Sequence, residues 1–358
     1  MDQKNSTVDL SMPGAGLYIE LITDAILSYT AVVLKMVLNP ILGVVSVCAN
    51  LTNMAVFSKM GLSNGVNQNF FILSLSDSLI AVTALVNSAA YVCQVILKVY
   101  GKTLGGSNTD AQIVYWAAFF AFPFGQNFSL ITTVVIALVR CCCVAMPLRV
   151  KDVLTARRQL SAILLFSAIS SSVYLYAFYP LRVEYGRDPE DNSTVAFMVD
   201  AVWVVYIGFN NATFFGGFIV VAVCATILSL SLYRSVRFRK SFSSGKTRTG
   251  SGLSPPHADA QTRARQRDAR VVKTVVMVSF SFIICNLVTI IYLVLFLALS
   301  GFGPLGRFAN ANQFTLMITE TFALVNATVN IFIYASYNTG YRATLSHMLG
   351  RNRTKIGG

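Results

Sequence analysis

The chain has 358 residues, 55% of them hydrophobic and only 12% charged, with a mean hydropathy of +0.62, far more apolar than a soluble domain. Its net charge of +13 and pI near 9.5 reside mostly between apolar runs, so they mark membrane topology and contact with anionic lipid rather than nucleic-acid binding. The only two histidines, His257 and His347, lie outside the apolar runs and offer no membrane metal site, and an enzyme is not expected.

Apolar runs of spanning length are predicted at 31–58, 68–97, 111–139, 159–180, 196–233, 274–300 and 312–337. The runs are continuous and lack the period-two alternation of barrel strands, so the expected fold class is all-α: a seven-transmembrane helix bundle. No cleaved signal peptide is expected before Leu17. Of the 28 basic residues, 21 fall at 59–67, 140–158, 234–273 and 338–358, together with only three acids, Asp152, Asp259 and Asp268. The positive-inside rule makes those segments cytoplasmic and the N-terminus extracellular. The organisation is then an outer tail at 1–30, a membrane domain at 31–337 and a cytoplasmic end at 338–358.

The tail holds the sequon Asn5-Ser6-Thr7, and the segment after span four holds Asn192-Ser193-Thr194. Both are expected outside and available for glycosylation. Span one carries Asn50, and span two carries Asp77 in Leu73-Ser74-Leu75-Ser76-Asp77. A carboxylate in mid-span costs roughly 2.5–3.5 kcal/mol on insertion scales, so Asp77 must face the bundle interior and have partners. Span three has no charge from Ala111 to Val139, then ends in Arg140, three cysteines and Met146-Pro147-Leu148-Arg149. Ser129 lies 11 residues before Arg140, roughly 16 Å higher on the helix.

Span five contains Gly216-Gly217, which either bends a helix or lets it pack closely. The loop at 234–273 carries eleven Lys and Arg with many serines and Pro255-Pro256. Its middle is expected to be solvated and disordered, and its ends, 234–240 and 263–273, to continue helices five and six. Span six contains Phe282-Ile283-Ile284-Cys285-Asn286-Leu287-Val288. Span seven carries Glu320, then Asn326 and Asn330 on one face, with Asn330-Ile331-Phe332-Ile333-Tyr334 at its inner end. Tyr337 to Arg342 begins a short amphipathic eighth helix.

These motifs together resemble the class A (rhodopsin-like) G-protein-coupled receptors. Arg140 followed by Pro147-Leu148 resembles the family's Asp-Arg-Tyr triplet and the Pro-Leu of its second cytoplasmic loop, with Val139 and Cys141 replacing the acid and the tyrosine. Asn50 and Asp77 resemble the family's asparagine in helix one and its Leu-Ala-x-x-Asp in helix two. Asn330 to Tyr334 resembles Asn-Pro-x-x-Tyr with isoleucine for proline. Phe282 to Val288 resembles Phe-x-x-Cys-Trp-x-Pro with Asn286 and Val288 in the last two places. The narrower likeness is to divergent invertebrate receptors of gastropod chemosensory or peptide-like type.

The resemblance implies a coupling switch at Arg140, Pro147, Asn330 and Tyr334. It also implies a pocket for an allosteric sodium ion, the one cofactor expected, at Asp77, Ser129, Asn326, Asn330 and Asn50. A heterotrimeric G protein would dock inside, and a chemical or peptide ligand would enter from outside. The family's outer disulfide has no counterpart: Tyr115 takes the helix-three position, and all seven cysteines lie in apolar runs or at the inner face. Phe122 stands where amine receptors carry an acid, and Leu324 where opsins carry lysine. For the ligand, Glu320 lies ten residues before Asn330, roughly 15 Å outward. With Lys35 and Lys98 placed at span ends, Glu320 is expected either to have a partner such as Asn312 or a hydroxyl, or to await a cationic ligand reaching it past Phe122, Phe119, Asn286 and Thr289. Two alternatives stay open at this point. One is a receptor-like protein that does not signal; the other is a seven-helix transporter, whose mark would be paired acids and broken helices in corresponding halves.

Overall fold

The structure is a computed structural model, and it describes residues 22–104, 108–145, 155–178, 182–187, 194–199, 203–245, 256–303 and 306–350; side chains are described over a narrower set. Seven long helices run in chain order: α1 (Asp24–Met60), α2 (Gly65–Leu104), α3 (Asn108–Ala145), α4 (Ala156–Phe178), α5 (Trp203–Gly245), α6 (Pro256–Ala298) and α7 (Ala309–Tyr337). The short α8 (Thr339–Met348) follows. Among the described residues, stretches of α1, α2, α3, α5, α6 and α7 are long and apolar enough to cross a membrane. At 23 residues, α4 also reaches across about 30 Å of hydrocarbon. Ile41, Leu51, Leu165, Ile219, Leu297 and Phe332 are each more than half exposed, as residues facing acyl chains should be.

Three boundaries differ from the sequence expectation. Helix α1 begins at Asp24, seven residues before the apolar run, because Thr23 caps it: its Oγ1 accepts from the Ile26 amide at 3.4 Å. The run assigned to span five from residue 196 opens instead as a strand. Here β1 (Arg182–Arg187) and β2 (Thr194–Val199) form an antiparallel hairpin in register from Arg182 opposite Val199 to Arg187 opposite Thr194. Thr194-Val195-Ala196-Phe197-Met198-Val199 is rich in β-branched and aromatic residues, but its apolar run merges into that of α5. Finally, α5 and α6 extend past the expected loop ends to Gly245 and back to Pro256. The middle of that loop, the glycosylation candidates Asn5 and Asn192, and Pro147 lie outside the described residues.

Within α1 the turn Val32–Leu38 is a π-helix, with the Asn39 amide bonding to the Leu34 carbonyl five residues back. The inner end of the bundle closes on a core of Val56, Phe57, Phe70, Leu73, Ile136, Leu228, Val275, Val278, Ile333, Tyr334 and Tyr341. Its aromatic centre packs Phe57 against Tyr334 edge-on at 5.0 Å and Phe70 against Tyr334 at 4.9 Å. Asn338 caps α8 by accepting from the Tyr341 amide at 3.1 Å. This turns the Tyr341 ring inward, where its hydroxyl donates to Asn53 Oδ1 at 2.6 Å.

Candidate functional site

The geometry is built around Asp77, which has no solvent exposure. Ser129 Oγ on α3 donates to one carboxylate oxygen at 2.8 Å, and Asn330 Nδ2 on α7 donates to the other at 2.8 Å. One side chain on α2 therefore holds three helices. No cation faces it among the described residues, so the buried charge is met by neutral donors only. Gly125 makes this approach close. One turn before Ser129, a Cβ at Gly125 would lie 3.3 Å from the Ile80 backbone nitrogen on α2, so any larger residue would have to push the two backbones apart by a few tenths of an ångström at that depth.

The remaining pocket candidates lie beside this centre without touching the carboxylate. Asn50 Nδ2 donates to the Ala327 carbonyl at 3.0 Å and to the Ser46 carbonyl at 3.0 Å, while its Oδ1 accepts from Asn53. It braces α1 against α7 one step from Asn330. Asn326 is buried, and its side chain makes no hydrogen bond to Asp77. The donors suit a small hard cation: the carboxylate and Ser129 Oγ are hard oxygen ligands, and an uncompensated buried carboxylate favours a positive ion.

At the inner end, Arg140 is half-buried on the last turns of α3, and the neighbouring Cys141 thiol donates to the Cys224 carbonyl of α5 at 3.4 Å. The Tyr334 hydroxyl is buried with no hydrogen-bond partner among the described residues. The base of α6 is fastened to the α7–α8 junction. Arg270 Nη1 donates to Thr339 Oγ1 at 3.2 Å, and Lys273 Nζ lies 4.7 Å from the Tyr337 ring centre. Gly217 resolves the double-glycine question in favour of close packing. A Cβ there would lie 2.7 Å from Leu130 Cδ1 on α3, whereas Gly216 has nothing within 4 Å.

In the outer half the structure corrects the expectation for Glu320. Its carboxylate is not free: Lys35 Nζ forms a buried ion pair with Oε2, and Asn87 Nδ2 lies 3.4 and 3.5 Å from its two oxygens. Neither Asn312 nor a hydroxyl is the partner. Lys35 lies inside the bundle, 4% exposed, not at a span end, because the π turn rotates it inward. Further along α1 and α7, Thr321 Oγ1 donates to Asn39 Oδ1 at 2.8 Å. The other ligand candidates are more closed than expected. Phe122 packs among Ile80, Ala81, Ala84, Ala323 and Leu324, and Asn286 spends its amide nitrogen on the Phe282 carbonyl of its own helix at 2.9 Å. Thr289 is buried on α6 one turn outward. Phe119 is on α3, but its side chain lies outside the described ones.

Sequence reasoning placed Lys35 at a span end and missed Asn87, Gly125 and Asn53. Asn87 was detectable in principle as a polar residue inside an apolar run.

Comparison with known proteins agrees with this fold. The profile of the family described as "7 transmembrane receptor (rhodopsin family)" matches residues 49–334. Among solved structures, the crystal structure of squid rhodopsin superposes with a TM-score of 0.62, covering 93% of this chain and 87% of that one at 14% identity. At that identity the likeness speaks for the fold alone. No curated protein matches the sequence.

Proposed function

Because this chain belongs to the rhodopsin family of seven-transmembrane receptors, the class A G-protein-coupled receptors, we propose that it binds an extracellular chemical or peptide ligand and signals by activating a heterotrimeric G protein. The observation that carries this reading is the Asp77 junction. A carboxylate joining α2, α3 and α7 through two hydrogen bonds couples the three helices: moving any one of them breaks a bond at the shared group. Ligand differences between two bundle states would bias that junction from outside.

The chain is a multi-pass membrane protein of a signalling family, not an enzyme. In our reading it lies in the plasma membrane with its N-terminus outside, carrying glycan at Asn5 or Asn192, and the narrower type is chemosensory or peptide-like. The cytoplasmic face then presents Arg140, Pro147 and the long ends of α5 and α6 to the G protein. Outward motion of the α6 base requires release of the Arg270–Thr339 and Lys273–Tyr337 contacts. Asn330 and Tyr334 transmit the change, Asn330 by its bond to Asp77 and Tyr334 by its unmatched hydroxyl. A sodium ion held by Asp77 and Ser129, with Asn50, Asn326 and Asn330 around it, would favour the state in which these helices are drawn together. Such an ion supplies positive charge to a buried carboxylate.

The test is reconstitution in lipid nanodiscs with a panel of purified heterotrimers, together with a ligand screen in cells expressing the same panel. A nucleotide-sensitive complex or ligand-dependent exchange, lost in Arg140→Ala, is expected. Absence of both with every heterotrimer class would leave the non-signalling reading in its place.

A further inference from the structure

The Asp77 junction does not use the most expensive pair of groups in the bundle, the ammonium of Lys35 and the carboxylate of Glu320, both nearly closed to solvent and on different helices. Burying two charges is costly, and removing one partner from such a pair costs more still. The two ends are held unequally. Glu320 lies within α7, whose next residue, Thr321, is tied to Asn39 on α1, and Asn87 of α2 adds its amide to the carboxylate. Lys35 hangs from a π turn whose neighbours Val32, Val33, Val37 and Leu38 face outward. Wide turns of this kind are often found at functional positions.

The lysine is therefore the partner able to leave. It lies in the outer half of α1, and its long stem can carry the ammonium outward to the membrane surface. A bare Glu320 left behind would be strongly unfavourable, so Lys35 can depart only when another cation arrives. The surroundings are ready for one with a further N–H donor: Asn87 Oδ1, on the amide that reaches the carboxylate, is a buried acceptor without a hydrogen-bond partner among the described residues. Asn87 is only 2% exposed. Lysine offers three N–H donors, and none of them serves this atom.

We propose that Glu320, with Asn87, forms a binding site for a primary ammonium or guanidinium group of the extracellular ligand, and that Lys35 occupies it as a built-in place-holder. Ligand entry is an exchange of cations that keeps the site neutral. The departing lysine frees the π turn to relax, turning Ala31 and Leu34 relative to Met317 of α7, against which they pack. The consequence for signalling rests on the receptor reading above; the binding site itself does not.

The experiment uses the full chain in nanodiscs, with n-butylammonium chloride, which mimics the lysine side chain, as the probe. Lys35→Ala should lower the melting temperature by about 5 °C or more. Butylammonium should restore at least about half of that loss, while leaving Lys35→Ala/Glu320→Gln unmoved. Equal shifts in the two variants, or none in either, would overturn the site whatever the G-protein experiments show. Should Lys35→Ala fail to accumulate, the swap of Lys35→Glu with Glu320→Lys must recover the yield that each single change loses, and no recovery refutes the pairing. In cells, any agonist from the screen should be cationic and lose more than about tenfold in potency on Glu320→Gln. A neutral or anionic agonist of unchanged potency would refute the ligand class.

Discussion

Replacing Asp77 with asparagine should abolish the response of the bundle to sodium while sparing the fold. In the native site the two carboxylate oxygens accept from Ser129 Oγ and Asn330 Nδ2 at 2.8 Å each. The substituted amide keeps one acceptor and presents an NH2 in place of the other. Ser129 can meet that group by turning its hydroxyl to accept while Asn330 donates to the remaining oxygen, so both bonds can be remade and the direct loss stays below one interhelical hydrogen bond, about 0.6–1.7 kcal/mol in a membrane. The sodium effect is larger. An ion present at one hundred times its dissociation constant adds about 2.7 kcal/mol to the state that binds it, equivalent to roughly 4 °C in melting temperature for a chain of 358 residues. Melting curves in sodium chloride and in N-methylglucamine chloride at equal ionic strength separate the two effects. The native chain should gain stability in sodium; Asp77→Asn should start slightly lower and gain nothing. An equal sodium-dependent rise in both would refute the assignment of Asp77 as the ion's anchor.

Three further outcomes are expected. Glycosidase treatment of protein expressed in eukaryotic cells should increase its gel mobility, and an N-terminal tag should be accessible without permeabilisation; a tag reached only after permeabilisation would invert the topology. Gly125→Leu should pry α3 from α2 at Ile80, at a cost of about 1–3 kcal/mol for overpacking, and should weaken the sodium response through Ser129 although the residue touches no ion. Tyr341→Phe should cost about 1–3 kcal/mol by leaving Asn53 Oδ1 without its donor, read as a lower melting temperature. Burial also pushes the Tyr341 phenol up to about 12. Because that lies above the unfolded value of about 10, its contribution to stability is intact below pH ~10 and fades as pH rises towards 12. Tyr341→Phe should flatten that part of the alkaline unfolding profile.

The sequence and the structure agree best where function rests on residue type within a regular helix. That Asp77 faces the bundle interior was legible because an acid cannot stay in lipid without partners, and its meeting with Ser129 and Asn330 was what the family resemblance implied. The Lys35–Glu320 pair was not legible for the complementary reason. A single π turn shifts the angular register of everything outward of it, and apolar composition gives no sign of such a turn. Lys35 read as a boundary residue because the apolar run begins at residue 31, whereas the helix begins at Asp24. The hairpin at 182–199 was hidden differently: β2 and α5 are both apolar, and hydropathy alone draws no line between a strand and the helix that follows it. Gly125 carries no chemistry of its own, so only the backbone separation reveals what it permits.

All seven cysteines are free thiols. The hairpin, whose β2 lies against α3, is therefore held without a covalent cross-link. Maturation of this protein need not wait for an oxidising compartment or a disulfide isomerase, and reductant in a purification buffer should leave its outer face intact. Any displacement of the hairpin is likewise free of covalent constraint.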